Sequence, residues 1–263
     1  MFEPHSLYIP GKSYIYSLHP FTKLSGVIAI ALMVFLGPGE VTKLVVLGLT
    51  ILFLAVWSNL LLPVLKTGIK LVLPLFIVLI LIQGFFYPNN STQIFSIGNY
   101  MFAWEGVVFG LLVTARIMLV LMASLLFLFS TSISTISRAL FLSGLPSALS
   151  YLLISPIFLL PGFVDRIHNI RESQQSRGLE VEGNILVRIR AIFPLVAPLI
   201  LGSIMETENM ALALETRAFN TTAKRTSLEN IPDNRSDKLI RKILLVITIF
   251  TVIIGILTRI KLF

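Results

Sequence analysis

The stretch LVVLGLTILFLAVWSNLLL, residues Leu44 to Leu62, contains no charged side chain and is long enough to cross a membrane. A transmembrane helix needs about 20 consecutive, mostly apolar residues, within a range of roughly 17 to 25. The composition of the whole chain agrees with such a span. Of the 263 residues, 56% are hydrophobic and 13% are charged, whereas about a quarter are charged in an ordinary soluble domain. The sequence therefore predicts an integral membrane protein.

Three more apolar segments accompany this stretch in the first half of the chain. They run from Thr22 to Pro38, from Gly68 to Phe86 and from Gly106 to Phe129. Pro63 is expected to end the second span, and the turn-forming residues YPNN at positions 87–90 are expected to end the third. The sequence thus predicts an N-terminal bundle of four spans over residues 1–130.

The charges of the connecting loops predict the orientation of this bundle, because short cytoplasmic loops collect Lys and Arg. The connection from Tyr87 to Glu105 has neither residue and is expected outside the cell, while Lys66 and Lys70 place the preceding connection inside. With four spans, the N-terminus is then also inside, beside Lys12 and Lys23.

The second half of the chain is more polar than the first. Between Thr131 and Lys242 lie 13 of the 21 Lys and Arg residues and 10 of the 13 Asp and Glu residues. Two apolar stretches remain there, Tyr151–Val164 and Ala191–Met205, each with two prolines. Because segments of about 15 residues are more often buried or interfacial helices than full spans, we expect a cytoplasmic module over residues 131–240. A pair of extra membrane crossings stays open as an alternative.

A last apolar run, Ile243 to Leu257, has basic residues on both sides and predicts a terminal span within residues 241–263. Its basic tail would lie outside, which conflicts mildly with the positive-inside rule, although such side chains can snorkel to the interface. The predicted fold is therefore an all-α membrane protein with about five transmembrane helices, four N-terminal and one C-terminal, around a cytoplasmic module of long helices.

No pattern of catalytic or cofactor-binding residues accompanies these spans. The sequence PGKS at 10–13 has the Gly-Lys-Ser end of a phosphate-binding loop, but such a loop also needs a glycine at position 6, where this chain has Ser6. The histidines His5, His19 and His168 do not have metal-ligand spacing, cysteine is absent, and no serine lies in a Gly-x-Ser-x-Gly turn. The net charge of +8 is attributed to the cytoplasmic face and anionic lipid rather than to nucleic acid.

Arg116 is the notable charge within the predicted spans. Such residues usually face the bundle interior or a polar cavity. We expect no acidic residue at matching depth, so two interpretations stay open. Arg116 either hydrogen-bonds backbone carbonyls between packed helices or contacts a partner membrane protein or a water-filled cleft, and the structural interpretation is favoured.

Two polar segments of the second half each combine an arginine with a predicted helix end. In RESQQSRGLE, Arg171 to Glu180, Gly178 is suited to the left-handed conformation that ends a helix, which places Arg177 in the last turn. In ALETRAFN, Ala213 to Asn220, the helix is expected to stop near Asn220, with Arg217 in the last turn. One such cation would simply suit a helix C-terminus. Two of them indicate a pair of docking points for carboxylate-lined grooves.

At these residues the chain resembles the T subunit of energy-coupling factor importers, the CbiQ-like transmembrane scaffold. QSRG (175–178) and ALETRAF (213–219) are similar to the paired Ala-Arg-Gly signatures of that family. LHPFTKL (18–24) resembles its Asp-Pro-Arg-Thr-Lys-Leu sequence at the start of the first span, and residues 113–132 resemble its fourth span. The signatures are not intact, because the following residues replace the family's usual Ala, Gly, Asp and Arg: Ser176, Thr216, Ala218, His19 and Phe21.

The resemblance implies a non-catalytic subunit of a multi-subunit ABC importer in a bacterial or archaeal cell membrane. Two cytoplasmic ATPases of the EcfA type would bind ATP and Mg, and an integral membrane S subunit would capture a vitamin or a transition-metal ion. This chain would carry no cofactor, no metal and no nucleic acid. It would couple the ATPases to the S subunit through helices shaped by Pro156, Pro161, Pro194 and Pro198. The docking residues implied are Ser176, Arg177, Gly178, Thr216, Arg217 and Ala218.

A self-contained channel or secondary transporter is the alternative function. It predicts polar residues within the spans and an internal repeat, and the sequence offers little of either. A membrane-bound enzyme would need a catalytic constellation, which the sequence does not show. The coupling scaffold is therefore the predicted function.

Overall fold

A computed structural model describes residues 8–11, 13–88, 92–97, 100–143, 147–180, 183–219 and 233–260. Some residues used in the predictions lie outside these ranges, namely His5, Ser6, Lys12, Asn89, Asn90, Asn220 and Lys261. The elements in chain order are α1 (Tyr14–Ser17), α2 (Pro20–Leu36), α3 (Glu40–Trp57), α4 (Leu61–Phe86), β1 (Gln93–Ile97), β2 (Tyr100–Ala103), α5 (Trp104–Ser130), α6 (Ile133–Leu142), α7 (Ser147–Ser176), α8 (Ile185–Thr216) and α9 (Arg235–Ile260).

The all-α membrane fold class is confirmed. Within the described residues, five helices are long and apolar enough to cross a membrane by length and composition, namely α3, α4, α5, α8 and α9. The set differs from the predicted five, because the predicted first span is the 17-residue helix α2 and α8 meets the criterion instead. The alternative of extra crossings in the second half therefore stays open. A short antiparallel hairpin of β1 and β2, which the sequence did not predict, connects α4 to α5.

The boundary between the second and third spans was predicted wrongly. Helix α3 ends at Trp57 and α4 begins at Leu61, so Pro63 lies in the first turn of α4 rather than at a stop. Proline is tolerated there because the first-turn amides have no helical partner. The break is made by Asn59, which adopts a left-handed conformation with φ 57°, a geometry that asparagine visits more readily than most residues.

The N-terminal helices form an apolar core whose centre lies between α2, α3, α4 and α5. Its fully buried side chains include Val34, Ile51, Leu60 and Val64, and Met122 and Leu125 of α5 pack in the same cluster. Large apolar side chains such as Phe53 and Leu62 are nevertheless exposed, at 66% and 78%. An outward apolar surface of this kind is unfavourable in water and suits the hydrocarbon of a bilayer.

Glycines allow α4 and α5 to approach closely. Gly106 and Gly110 are one helical turn apart on α5, which is the small-residue spacing that brings membrane helices together. A Cβ atom on Gly106 would overlap the carbonyl oxygen of Gln83, and one on Gly110 would lie 3.4 Å from the Cα of Ile80. The backbones are therefore in contact at this crossing, with no side chain between them.

The described chain divides into two compact units. One contains Met1–Ser143 together with Ile231–Phe263, and the other contains Gly144–Asn230. The first unit holds the N-terminal helices and α9, which packs against α2, while the second consists of α7 and α8. The predicted domain boundaries at residues 130 and 240 stay a prediction.

Candidate docking site at two helix ends

Helix α7 ends in a left-handed cap at Gly178. Gly178 has φ 90°, and its amide donates to the carbonyl of Gln175 at 2.9 Å. The next amide, of Leu179, donates to the carbonyl of Gln174 at 3.0 Å. This pair of bonds is the Schellman arrangement, which satisfies the last carbonyls of a helix. The predicted stop at Gly178 is confirmed, and Arg177 is the residue at the C-cap, immediately after Ser176.

Helix α8 ends in the same arrangement. The amide of Ala218 donates to the carbonyl of Glu215 at 2.9 Å, and that of Phe219 donates to the carbonyl of Leu214 at 2.9 Å. The left-handed residue is Ala218, with φ 55°. Arg217 is again the C-cap, after Thr216. The two segments therefore have one backbone geometry, with an arginine at the equivalent position in each.

The predicted stop of α8 near Asn220 is wrong, because the left-handed residue comes two positions earlier. An alanine in this conformation places its Cβ atom too close to the following carbonyl, at a cost of roughly 1–2 kcal/mol, which glycine avoids. The two backbone hydrogen bonds of the cap, together with the packing of the Phe219 ring, offset this strain. The ring of Phe219 lies edge-on against Tyr151 of α7, with centroids 5.2 Å apart. Residue preference alone favours Asn220, whereas the position of Ala218 in the second motif, equivalent to Gly178 in the first, is the sequence signal for the observed cap.

The residues before the two arginines also match. The hydroxyl of Ser176 donates to the carbonyl of Glu172 at 3.0 Å, and that of Thr216 donates to the carbonyl of Ala213 at 3.1 Å. Both hydroxyls are directed back along their own helix. Each of these hydrogen bonds is made to a backbone carbonyl rather than to the adjacent arginine.

Arg177 and Arg217 are both exposed. Within the described part of the chain, neither guanidinium has a hydrogen-bond or ion-pair partner. A cation at a helix C-terminus is itself favourable by about 0.3–1 kcal/mol, which explains each arginine locally. An unoccupied guanidinium fork is also suited to bidentate bonds with a carboxylate. The site can therefore bind acidic groups at two places that share one geometry.

Helices α7 and α8 run in opposite directions where they meet. Tyr151, near the start of α7, contacts Phe219 after the end of α8. Fifteen residues further along α7, Arg166 bonds to Glu206, which precedes Phe219 in the chain. The C-terminal ends of two antiparallel helices lie at opposite ends of the pair. The two arginine caps consequently point away from each other.

Arg116 forms an ion pair that the sequence analysis did not predict. Its Nη2 atom lies 2.7 Å from Oε1 of Glu40, in the first turn of α3. The expectation that no acidic residue lies at matching depth is wrong, because Glu40 was placed in the loop before the second span instead of within its helix. The Nε atom of Arg116 is buried without a partner among the described groups. A contact of Arg116 with a partner protein stays a prediction.

A polar cluster that the sequence did not predict lies where α2 and α9 begin and α5 ends. The backbone amide of His19 donates to Oδ1 of the buried Asp237, and Nδ1 of His19 accepts from the amide of Phe21. Lys23 Nζ donates to the carbonyl of Ser130 at 2.9 Å, which caps the end of α5. These bonds tie three helices together. Their only sequence signal was the LHPFTKL segment.

The other charged groups do not assemble into a metal site. Among the described residues, no group of three or more His, Cys, Asp or Glu side chains could hold a metal ion. Asp233, near the start of α9, instead forms an ion pair with Arg241, with 2.6 Å between Oδ1 and Nη2. The hydrogen bond from Arg241 holds the pKa of Asp233 below its ordinary range.

Comparison with known proteins gives one consistent result. The family model for CbiQ, described as a cobalt transport protein, matches residues 11–228. The chain is 27% identical over 248 residues to the energy-coupling factor transporter transmembrane protein EcfT of Acidaminococcus fermentans, covering 88% of this chain and 89% of that protein. EcfT of Streptococcus thermophilus is 27% identical over 241 residues, with 88% and 90% covered. EcfT of Staphylococcus aureus is 28% identical over 235 residues, with 85% and 86% covered.

Proposed function

The chain belongs to the CbiQ family of membrane transport proteins, and on that premise we propose that it is the transmembrane coupling scaffold of an energy-coupling factor importer. Its relatives named EcfT are transmembrane proteins of such transporters. In the proposed complex, two cytoplasmic ATPases of the EcfA type bind ATP with Mg and hydrolyse it. An integral membrane S subunit captures the vitamin or metal ion, and this chain transmits the motion of the ATPases to it.

The matched ends of α7 and α8 carry the proposal. Each places one exposed arginine, without a partner among the described residues, at a C-cap whose backbone is fixed by two hydrogen bonds. Fixed presentation matters because an arginine on an ordered backbone loses less conformational freedom when it binds. A single end of this kind would be explained by the helix dipole alone. Two ends with the same geometry, and with Ala218 strained to produce it, favour two similar partner surfaces.

The antiparallel contact of the two helices suggests one ATPase for each end. Because the caps lie at opposite ends of the pair, two neighbouring subunits are able to receive them at the same time. Each guanidinium would enter a groove with acidic side chains and form bidentate bonds there. Closure of the ATPases around ATP would then displace the helix ends, and the long helices behind them would carry that displacement into the membrane.

The proposed orientation places the N-terminus and the module of α7 and α8 in the cytoplasm. The distribution of charge supports it, because the segment from Tyr87 to Glu105 has no Lys or Arg. Lys66 and Lys70 were predicted in the preceding connection, but they lie within the first three turns of α4. In this arrangement the arginine caps face the compartment that holds ATP. The catalytic groups for hydrolysis are assigned to the ATPases, and no cofactor is assigned to this chain.

Co-purification tests the docking. The chain is expressed with candidate ATPases and an S subunit, and the complex is isolated through a tag on this chain. We expect the wild type to retain the ATPase pair and the double variant Arg177→Glu with Arg217→Glu to release it, because glutamate repels an acidic groove. Each single variant is expected to weaken retention.

A matched control separates docking from the general effect of charge. The double variant Arg171→Glu with Arg190→Glu changes the net charge by the same amount on the same two helices, away from the caps. It is expected to retain the ATPases. Retention by the cap variant, or equal loss from both double variants, would show that the arginine caps are not the docking points. Failure of the wild type to bind any ATPase while it transports a solute alone would favour a self-contained transporter.

A further inference from the structure

Helices α7 and α8 are joined by an ion pair that the docking ends do not use. Nη2 of Arg166 lies 2.6 Å from Oε2 of Glu206, and the two side chains are 26% and 43% exposed. This is a charge-assisted contact, and it is directional because the guanidinium fork must face the carboxylate. It therefore defines one position along each helix at which the two helices meet.

Gly202 creates the path by which Arg166 reaches its partner. It precedes Glu206 by one helical turn and lies on the same face of α8. A Cβ atom at Gly202 would lie 3.5 Å from Cδ and 3.8 Å from Nη1 of Arg166. The arginine thus lies flat over the glycine, and its Nη1 is buried without a partner among the described groups. With Nη1 buried and Nη2 bonded to Glu206, the contact with Glu206 holds this side chain in place.

An open apolar groove lies beside the ion pair. Phe163 of α7 and Leu199, Ser203 and Thr207 of α8 line a groove with a volume of about 480 Å³. Side chains that interdigitate at native density fix the register of two helices, whereas a groove of this size leaves part of the surface without contacts. The ion pair is therefore the directional contact at this point of the helix pair, and the rings of Tyr151 and Phe219 form a second contact nearer the end of α8.

The ion pair is equally far from the two arginine caps. Arg177 follows Arg166 by eleven residues, and Arg217 follows Glu206 by eleven residues. At 1.5 Å per residue, each cap lies about 16 Å from the ion pair along its own helix. Because the helices are antiparallel at their contact, the two distances extend in opposite directions. The ion pair is at the midpoint between the caps.

We propose that Arg166 and Glu206 are positioning residues that pin α7 and α8 at this midpoint, so that movement of one arginine cap is transmitted to the other helix instead of being lost in sliding. The proposal rests on the proposed function, because it concerns how the docked ends act together. It assigns no contact with an ATPase to either residue. Loss of the pin is expected to leave docking intact and to uncouple hydrolysis from transport.

Distance measurements on the full chain in nanodiscs test the pin without any partner. The chain has no cysteine, so Ser173→Cys and Leu212→Cys, both at exposed positions, give one spin label on each helix near its cap. We expect one narrow distance distribution in this background and a broadened or shifted one when Glu206→Arg is added. Adding Arg166→Glu as well reverses the ion pair and restores the narrow distribution. An unchanged distribution in Glu206→Arg would overturn the pin.

If the Glu206→Arg protein does not fold, the milder variant Glu206→Gln tests the same ion pair. It preserves the shape of the side chain and removes its charge, and it is also expected to broaden the distribution. The control Asp165→Arg makes the same charge change next to Arg166, at an exposed position outside the groove. It is expected to leave the distribution narrow, and broadening of equal size in that control would contradict a specific role of Glu206.

Coupling in the assembled transporter gives the functional readout. We expect Glu206→Arg and Arg166→Glu to retain the ATPases and their hydrolysis while uptake per ATP hydrolysed falls about fivefold or more, and the charge-reversed pair to recover it. Normal coupling in the single variants, or release of the ATPases from them, would overturn the proposal. Absence of ATPase binding in the wild type would refute the proposed function alone, since the distance measurement does not depend on it.

Discussion

The Nη2 atom of Arg116, in the middle of α5, donates to Oε1 of Glu40 at the start of α3 across 2.7 Å. The two ends of this bond differ in exposure, since the side chain of Arg116 is 16% exposed and that of Glu40 is 59% exposed. The cation is therefore the group that depends on its partner, while the carboxylate has access to other surroundings.

This asymmetry predicts unequal effects of removing either partner. Glu40→Ala leaves a mostly buried guanidinium without its acceptor, and we expect it to destabilise the protein by about 1–2 kcal/mol. Arg116→Leu is expected to be near neutral, because a leucine suits the span and Glu40 is largely exposed. Thermal unfolding in detergent micelles measures both. The double variant should unfold close to Arg116→Leu, and an equal loss from the two single variants would contradict this account.

The contact of Gly106 with the Gln83 carbonyl predicts that α5 tolerates no side chain there. Gly106→Ala places a methyl group against the backbone of α4, so the helices must separate or shift. Such overpacking costs about 1–3 kcal/mol, and we expect a lower thermal unfolding midpoint. Gly26→Ala is the matched control, because a Cβ atom at Gly26 meets nothing within 4 Å. Similar midpoints for the two variants would show that the close approach is not required.

Much of the fold could be predicted because hydrophobic length is a local property. The apolar runs that predicted the spans correspond to α2, α3, α4, α5 and α9. The boundary between α3 and α4 was misplaced, the β1–β2 hairpin was not predicted, and α8 meets the length criterion for a span where α2 does not. Pro63 was interpreted as a stop, although a proline in the first turn does not break a helix.

Features that depend on distant residues could not be predicted. Glu40 and Arg116 are 76 positions apart, and Arg166 meets Glu206 only because α7 and α8 pack side by side. Residue preference likewise pointed to Asn220, because alanine rarely adopts the left-handed conformation, although the family resemblance places Ala218 at the position of a glycine. At the candidate site, the sequence predicted the arginines and the cap at Gly178. The identical geometry of the second end and its antiparallel placement came from the structure.

The left-handed alanine predicts opposite effects of exchanging the residue after each arginine. Ala218→Gly removes the steric conflict of a positive φ, and Gly178→Ala introduces it, so the two helix ends should be stabilised and destabilised by about 1 kcal/mol respectively. Hydrogen exchange of the amides at 218 and 219, and at 178 and 179, measures the change at each end. With partner ATPases, Ala218→Gly is expected to retain binding. A faster exchange in Ala218→Gly would contradict the strained cap.

The cap of α2 predicts a dependence of stability on pH. Burial lowers the pKa of His19 below its ordinary value of 6.5, nearby Asp233 and Asp237 oppose the shift, and Arg241 adds to it. The neutral form is also required by geometry, because Nδ1 accepts the hydrogen bond from the Phe21 amide and a protonated Nδ1 has no free lone pair.

The sign of the effect follows from which state binds the proton more readily. In the unfolded chain His19 takes up a proton near pH 6.5, whereas the folded chain resists it to lower pH, so unfolding is favoured as the pH falls. His19 therefore stabilises the fold fully above pH 6.5 and progressively less as the pH drops towards its folded pKa.

We expect the thermal unfolding midpoint to decrease from pH 7 to pH 5. His19→Asn keeps a side-chain acceptor at the cap without titrating in this window, so its midpoint should change less. The phenolic group of Tyr16 does not contribute there, because burial raises its pKa above 10.0. An equal decrease in wild type and His19→Asn would assign the pH dependence to other groups.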